Sequence, residues 1–254
     1  MIRVIISGCS GHMGRMVASQ AEKLAGVTIV AGIDPFTGPD HGFPTFKSHE
    51  ECMGSGIEAD VLIDFSSASA LPGLLAYGRE KKIPMVLCAT GYTEEDRIQI
   101  EKASSEVAIL RSANMTLGIN LLVKLLKEAA PILQEAGFDI EIVEKHHNLK
   151  KDAPSGTALL LADAIRDSLP EKYDYVYDRS DRNEKRPVTE IGISAVRAGT
   201  IPGDHDVIFG GEDEVITFTH RAYSKAVFAK GALKAAMFLA GKGPGLYTMS
   251  DVIG

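Results

Sequence analysis

A chain of 254 residues with 45% hydrophobic side chains can form one large or two modest domains, with room for a cofactor and a substrate pocket. Its 27 basic and 34 acidic residues leave a formal charge of -7 without a basic run or an aromatic-basic stripe, which speaks against a nucleic-acid partner. Cys9, Cys52 and Cys88 are odd in number and lack metal spacing, no apolar run reaches the roughly 18 residues of a membrane span, and the N-terminus enters a strand without a signal core. Reduced thiols, a cytoplasmic location and no membrane partner are therefore expected.

The first predicted element is an apolar strand, residues 2–6, followed by SGCSGHMGRMVASQAEKLA, where Gly8, Gly11 and Gly14 punctuate a turn that passes into a helical pattern. Such glycines permit a tight turn, close approach of backbone to a pyrophosphate and close packing of helix on strand. The next strand, VTIVAGID, ends in Asp34, about 20 residues after the last glycine, where an acid can hold the hydroxyl pair of an adenosine ribose. Gly8, Cys9, Ser10, Gly11, His12, Met13 and Asp34 are thus expected around a dinucleotide, with Cys9 serving as a small filler rather than a nucleophile. Pro35 and Phe36 follow the acid where an Arg would favour a 2′-phosphate, so NADH is the expected preference and dual use with NADPH stays open.

Strand-like and helical patterns then alternate: ADVLIDF (59–65), a helix LPGLLAYGREKK, the strand and loop IPMVLCATG, a helix TEEDRIQIEKASSE, and VAILRSAN. Ligands of such sheets lie beyond the carboxyl ends of the strands, which nominates Ser66, the loop Cys88-Ala89-Thr90, and Ser112-Ala113-Asn114-Met115. After Asn114 comes a long amphipathic helix, LGINLLVKLLKEAAPILQEAG, and then an alternating strand, FDIEIVEKHH. Period-2 geometry sends the rings of His146 and His147 to opposite faces, and neither HExxH nor paired CxxC is present, so no metal is expected.

The segment EKHHNLKKDAPSGTA, residues 144–158, crowds two histidines, two lysines and a helix start into one loop. His is the side chain most easily poised for proton transfer near neutral pH, and Lys adds a cation or a second donor. Ser155-Gly156-Thr157 opens a helix reaching to about 169, so its N–H groups attract carboxylate or phosphate. Asp152 reads as a loop organiser or helix-start residue. The polar stretch YDYVYDRSDRNEKR, with Arg179, Arg182, Lys185 and Arg186, reads as a solvated loop. Strand-like pieces from Thr189, in DHDVIFGG and in EVITFTHRA follow, then a final helix, SKAVFAKGALKAAMFLAG, that returns to cover the first sheet. The expected architecture is α/β. A Rossmann-like parallel sheet from residues 1–117 and 226–254 binds the dinucleotide, and a second α+β domain, 118–225, carries an open mixed sheet for substrate binding and subunit pairing.

Several of these segments resemble the 4-hydroxy-tetrahydrodipicolinate reductase (dihydrodipicolinate reductase) family of the diaminopimelate route to lysine. GCSGHMGR is similar to its nucleotide turn, VLIDFS to its third strand, SANMTLGIN to its domain crossing and EKHHNLKKDAPSGTA to its signature. RAGTIPGDHDVIF, Thr219-His220, FAKGAL and GLYTMSDV fit later segments. The resemblance implies an NAD(P)H-dependent reduction in a homotetramer. Its substrate is a small cyclic dicarboxylate bearing an imine, which loses its 4-hydroxyl as water and takes hydride at C4. By the same resemblance His146 is the general acid/base and Lys150 a proton donor, while His147, Gly156 and Thr157 bind substrate. The chain departs from the common pattern at Cys88-Ala89, at Met115 in place of Phe, at Pro35 in place of Arg and at Lys225 in place of Arg. Competing readings are an amino-acid or semialdehyde dehydrogenase sharing the first domain, and an NAD-binding regulator without turnover; the DAPSGT cradle and the intact His146 and Lys150 speak against them.

Overall fold

The opening apolar run forms β1 (Ile2–Ser7), whose Val4, Ile5 and Ile6 are wholly buried, as befits a central parallel strand covered on both faces. In the computed structural model, which describes residues 1–36 and 41–254, the chain continues through α1 (His12–Ala21), β2 (Val27–Ile33), β3 (Thr45–Phe46), α2 (His49–Gly54) and β4 (Val61–Asp64). Next come α3 (Leu71–Lys81), β5 (Met85–Leu87), α4 (Glu94–Ser104) and β6 (Ala108–Arg111). A capping box starts α4: Thr93 and Asp96 satisfy each other's backbone N–H groups.

The long helix α5 (Leu117–Glu135) leads the chain into a second unit, Gly118–Ser224, made with β7 (Asp139–His146), α6 (Gly156–Arg166), β8 (Asp174–Val176), β9 (Glu190–Arg197), β10 (Gly203–Gly210) and β11 (Val215–Ala222). The chain then returns to the first unit, Met1–Leu117 with Lys225–Gly254, through α7 (Ala226–Leu239), β12 (Gly245–Tyr247) and α8 (Met249–Ile253).

In the first unit seven parallel strands run in the order β12-β6-β5-β4-β1-β2-β3. One face of this sheet packs Val4, Ile6 and Ile63 against Val17 of α1 and Ala232, Leu233 and Ala236 of α7. The other sets Ile5 and Leu62 against Leu74 and Tyr77 of α3 and Ile100 of α4. The returning helix thus covers the first sheet. Short elements unmarked by any period in the sequence, β3, α2, β12 and α8, complete the unit.

The second unit is built on a five-stranded mixed sheet, β11-β10-β7-β9-β8, in which β10 runs antiparallel to both of its neighbours and the remaining pairs are parallel. Its inner face, Ile140, Ile142, Ile191, Ile193, Val207 and Phe209, packs on Val123 and Leu126 of α5 and on Leu161 and Ile165 of α6. The stretch expected to be a solvated loop is one only in part: residues 177–189 are irregular and mostly exposed, but its start is not. Residues Asp174–Val176 pair with β9 as an edge strand, and three of the four cations that follow are anchored. Arg186 donates to Asp139 (2.7 Å), Glu141 (3.0 Å) and the carbonyls of Ile140 (2.8 Å) and Glu190 (2.6 Å). Arg179 and Arg182 form ion pairs with the buried carboxylate of Glu190. A charge buried at the start of an inner strand demands such neutralisation, which explains why basic residues cluster just upstream.

Candidate active site

The order of the first sheet reverses around β1, whose neighbours are β2 on one side and β4 on the other. That switch point opens a crevice beyond the carboxyl ends of the strands. Gly8 enters the turn with φ +79°, and a Cβ there would lie 2.8 Å from the backbone of Phe65 and Ser66. A Cβ on Gly14 would come within 2.1 Å of the Gly8 carbonyl oxygen, so α1 seats on the turn only through a bare backbone. Asp34 follows β2 with 7% exposure and accepts hydrogen bonds from the backbone of Ser10 (2.9 Å) and Phe36 (3.0 Å). Each carboxylate oxygen keeps a further lone pair. Gly8, Ser10, Gly11, Asp34, Phe36 and Ser66 line a cavity of about 450 Å³.

The other residues nominated around the cofactor are placed differently. Cys9 is 1% exposed and turned into the core, where Gly32 makes room for its sulfur. His12 is exposed at the start of α1, and Met13 packs on the adjoining core. Cys88, Ala89 and Thr90 follow β5, and burial pushes the Cys88 thiol well up. Beyond β6, Ser112 donates to the Asn114 carbonyl (2.9 Å) and the Asn114 side chain accepts from the Thr116 N–H (2.8 Å). Met115 is buried, its carbonyl lying where only Gly231 fits. The Ser66-Ser67-Ser69-Ala70 turn also lines the crevice. That turn is organised by Asp64, which accepts from the N–H (3.1 Å) and hydroxyl (2.5 Å) of Ser66; burial pushes its carboxyl up.

In the second unit the period of β7 puts Ile140, Ile142, Glu144 and His146 on the buried face. The last two are a carboxylate and an imidazole in contact: His146 Nδ1 lies 2.6 Å from Glu144 Oε2. Arg197, opposite His146 at the end of β9, reaches the same carboxylate through Nη1 (2.8 Å) and Nη2 (2.7 Å). The backbone N–H of Ser155 donates to Glu144 Oε1 (3.0 Å), while the Ser155 hydroxyl caps α6 by accepting from Ala158 N–H (3.1 Å). His205, opposite Glu144 on β10, sits edge-on to His146 with ring centroids 5.2 Å apart. Gly156 and Thr157 form the first turn of α6, with Gly156 exposed. Lys150 is held to Asp152 at 2.8 Å. His147, just past the end of β7, is half-buried with its Nδ1 lacking a hydrogen-bond partner.

Burial pushes the Glu144 carboxyl up, but hydrogen bonds from Arg197 and His146 overcome this and hold it below the ordinary carboxylate range. Burial pulls the His146 imidazole down; Glu144 opposes that shift, and the charges of Lys150 and Arg197 reinforce it. The result is a neutral imidazole beside a fixed anion, able to gain a proton when negative charge develops nearby. The structure thus links His146 to the α6 start through Glu144, with Lys150 close enough to be felt at the ring. Sequence reasoning missed Arg197 and His205. A charged residue at an apolar position of a period-2 strand, Glu144, was the available signal that buried partners must exist. Among the described residues no cluster of three or more His, Cys, Asp or Glu is placed to hold a metal ion, and no helix is long and apolar enough to cross a membrane.

The strand order, the glycine turn and the acid after β2 define a Rossmann-type α/β protein with a dinucleotide-binding crevice. The family description "Dihydrodipicolinate reductase, N-terminus" matches residues 2–115, and "Dihydrodipicolinate reductase, C-terminus" matches residues 118–253. The chain belongs to the dihydrodipicolinate reductase family. It is 55% identical to the 4-hydroxy-tetrahydrodipicolinate reductase of Caldanaerobacter subterraneus subsp. tengcongensis, covering 100% of this chain and 98% of that one. It is 49% identical to the Clostridium tetani enzyme of the same name, over 100% and 97%. A solved dihydrodipicolinate reductase from Paenisporosarcina sp. TG-14, described as dipicolinate-bound, matches with a TM-score of 0.80 and 25% identity over 98% of this chain and 97% of that one.

Proposed function

We propose that the chain reduces 4-hydroxy-tetrahydrodipicolinate to tetrahydrodipicolinate with loss of water, in the diaminopimelate route to lysine. The observation that carries this reading is the His146–Glu144 pair, hydrogen-bonded to the residue that starts α6, in a chain matched by the family end to end. The substrate is a small cyclic dicarboxylate. The N–H groups of Gly156 and Thr157 take one carboxylate at the helix start, and His147 contributes to the same site. A reduced nicotinamide supplies hydride when bound. Once the 4-hydroxyl has left as water, hydride addition at C4 moves electrons toward the ring nitrogen and C3, and the charge must be met by a proton. His146 delivers it from the imidazolium form, having drawn that proton from solvent or from the Lys150 ammonium, with Lys150 as second donor, for a contribution on the order of 10²- to 10⁴-fold in rate.

The cradle of Gly8, Ser10 and Gly11 fits a pyrophosphate, which needs close backbone approach, and Asp34 fits a ribose hydroxyl pair. Cys9, His12 and Met13 extend that turn, and the loops at Cys88-Ala89-Thr90 and Ser112-Ala113-Asn114-Met115 belong to the rest of the dinucleotide site. An anionic Asp34 followed by Pro35 and Phe36 disfavours a 2′-phosphate, which supports NADH over NADPH. The outer face of the second sheet, with Val196 41% and Val215 65% exposed, supports pairing into a homotetramer. Three unpaired cysteines support a reducing, cytoplasmic setting.

The test is to follow loss of the reduced-nicotinamide absorbance, with NADH and NADPH in parallel, on enzymatically generated 4-hydroxy-tetrahydrodipicolinate. Turnover on that compound is the expected result. Inactivity there, with activity on an amino acid or a semialdehyde, would replace this reading by the dehydrogenase alternative.

A further inference from the structure

Glu144 is wholly buried, and each of its oxygens receives two hydrogen bonds. Oε1 takes Arg197 Nη2 and the Ser155 N–H; Oε2 takes Arg197 Nη1 and His146 Nδ1. An ionised carboxylate offers about four lone-pair sites, so all of them are used. Guanidinium and backbone N–H groups can only donate, and three such bonds favour the carboxylate over the acid and hold Glu144 below the ordinary carboxylate range. The carboxylate is therefore anionic, and His146 Nδ1 must carry the hydrogen that it receives. The neutral ring is then left with its lone pair on Nε2. That nitrogen lies beside Gly203, where a Cβ would stand only 3.0 Å away, so the glycine keeps the Nε2 edge clear.

We propose that Glu144 is a positioning residue that, clamped by Arg197, fixes His146 as the Nδ1–H tautomer and makes Nε2 the nitrogen that takes up and delivers the proton. Arg197 adds a second constraint. Its Nη2 also donates to the Asp152 carbonyl (2.7 Å), so one half-buried guanidinium ties the imidazole's partner to the loop that carries Lys150 and leads into α6. The same carboxylate holds the ring and, through Ser155, the start of the proposed anion site. The geometry sets proton donor and anion cradle in fixed register with each other. This proposal rests on the reading of His146 as the proton donor, but the tautomer itself exists without substrate or cofactor.

The decisive measurement is the long-range ¹⁵N–¹H correlation spectrum of the histidine rings in the full-length protein at about pH 8, where His146 is neutral. The His146 signals are assigned by their loss in His146→Gln. The Nδ1–H pattern is expected in the wild type, and an Nε2–H pattern overturns the proposal even in a fully active enzyme. Glu144→Gln keeps the volume but offers fewer acceptor sites; it is expected to convert the ring wholly or partly to Nε2–H. It should also lower kcat by about 10²- to 10⁴-fold with KM changed less than about threefold. A drop in melting temperature with an unchanged tautomer and unchanged kcat would show a purely structural ion pair and sink the proposal. Should Glu144→Gln not fold, the wild-type spectrum still decides. If His146→Gln retains wild-type kcat while the wild-type ring is Nδ1–H, the reading of His146 as donor fails and the delivery step falls with it.

Discussion

His205 Nε2 lies 3.1 Å from the hydroxyl of Ser155, the residue that caps α6, while His205 Nδ1 is buried without a partner. Burial, with the neighbouring charge of His146 adding to it, pulls this ring down to about 3, against the ordinary 6.5. The unfolded chain therefore binds a proton below about pH 6.5 that the native state refuses until about pH 3. Stability present at neutral pH is lost as pH falls through that window, by up to about 1.4 kcal/mol per pH unit. Glu144, His220 and Lys150 also face the ring, and burial lowers His146 and His220 in the same direction. Urea unfolding of His205→Asn between pH 7 and pH 4 is expected to give a shallower decline than the wild type. Equal slopes would mean that this ring does not titrate on unfolding.

Arg186 and Lys185 are neighbours with opposite structural weight. Arg186 spans Asp139, Glu141 and two strand carbonyls, whereas Lys185 is exposed. Arg186→Ala is expected to cost about 1 to 3 kcal/mol in denaturant unfolding, because the carbonyls of the buried Ile140 and Glu190 lose a charged donor. Lys185→Ala should stay within about 0.5 kcal/mol. Similar losses for the two variants would remove Arg186 as an anchor of the second sheet.

Asp34 both organises its turn and, on the proposed function, holds a ribose. Its Ala variant loses the bonds from Ser10 and Phe36 as well as any to the cofactor. Loss of turn order weakens NADH and NADPH alike; loss of ribose contacts weakens NADH further, by on the order of tenfold in Kd. Titration of both nucleotides against both proteins measures the difference. Equal losses would take the carboxylate away from the ribose.

Ser155 and Thr157 separate stability from binding at the start of α6. Ser155→Ala removes the cap and leaves His205 Nε2 unpartnered, so a loss of about 1 to 3 kcal/mol should appear in the melting curve. Thr157→Val keeps the shape of the side chain; its expected effect is a raised KM for the dicarboxylate with little change in kcat. Wild-type kinetics in that variant would show that the Thr157 hydroxyl does not touch the anion, which the N–H groups would then hold alone.

Much of the fold is written in local pattern. The glycines between β1 and α1, the period of β7 and the capping of α4 and α6 each act within a few residues, so they are readable along the chain. β3 and β8 are too short to show a period, and Asp174–Val176 sits within polar residues whose role as strand anchors depends on the distant acids Asp139, Glu141 and Glu190. The site divides in the same way. His146, Lys150, Ser155 and Gly156 lie in one stretch and announce themselves, whereas Arg197 and His205 arrive only through the pairing of β9 and β10 with β7. Strand order is a long-range property, and no window of sequence encodes it.

Part of the first unit's core comes from the last stretch of chain: Ala229, Ala232, Leu233, Ala236, Leu239 and Met249 pack against residues as early as Val4. The middle unit is contiguous. A ribosome releases all of Gly118–Ser224 before the helix that closes the opening sheet has emerged, so vectorial synthesis completes the molecule from its middle outward rather than from its head. Nascent chains arrested with Ser224 just clear of the ribosome should accordingly resist protease across the central segment while the leading segment remains cleavable.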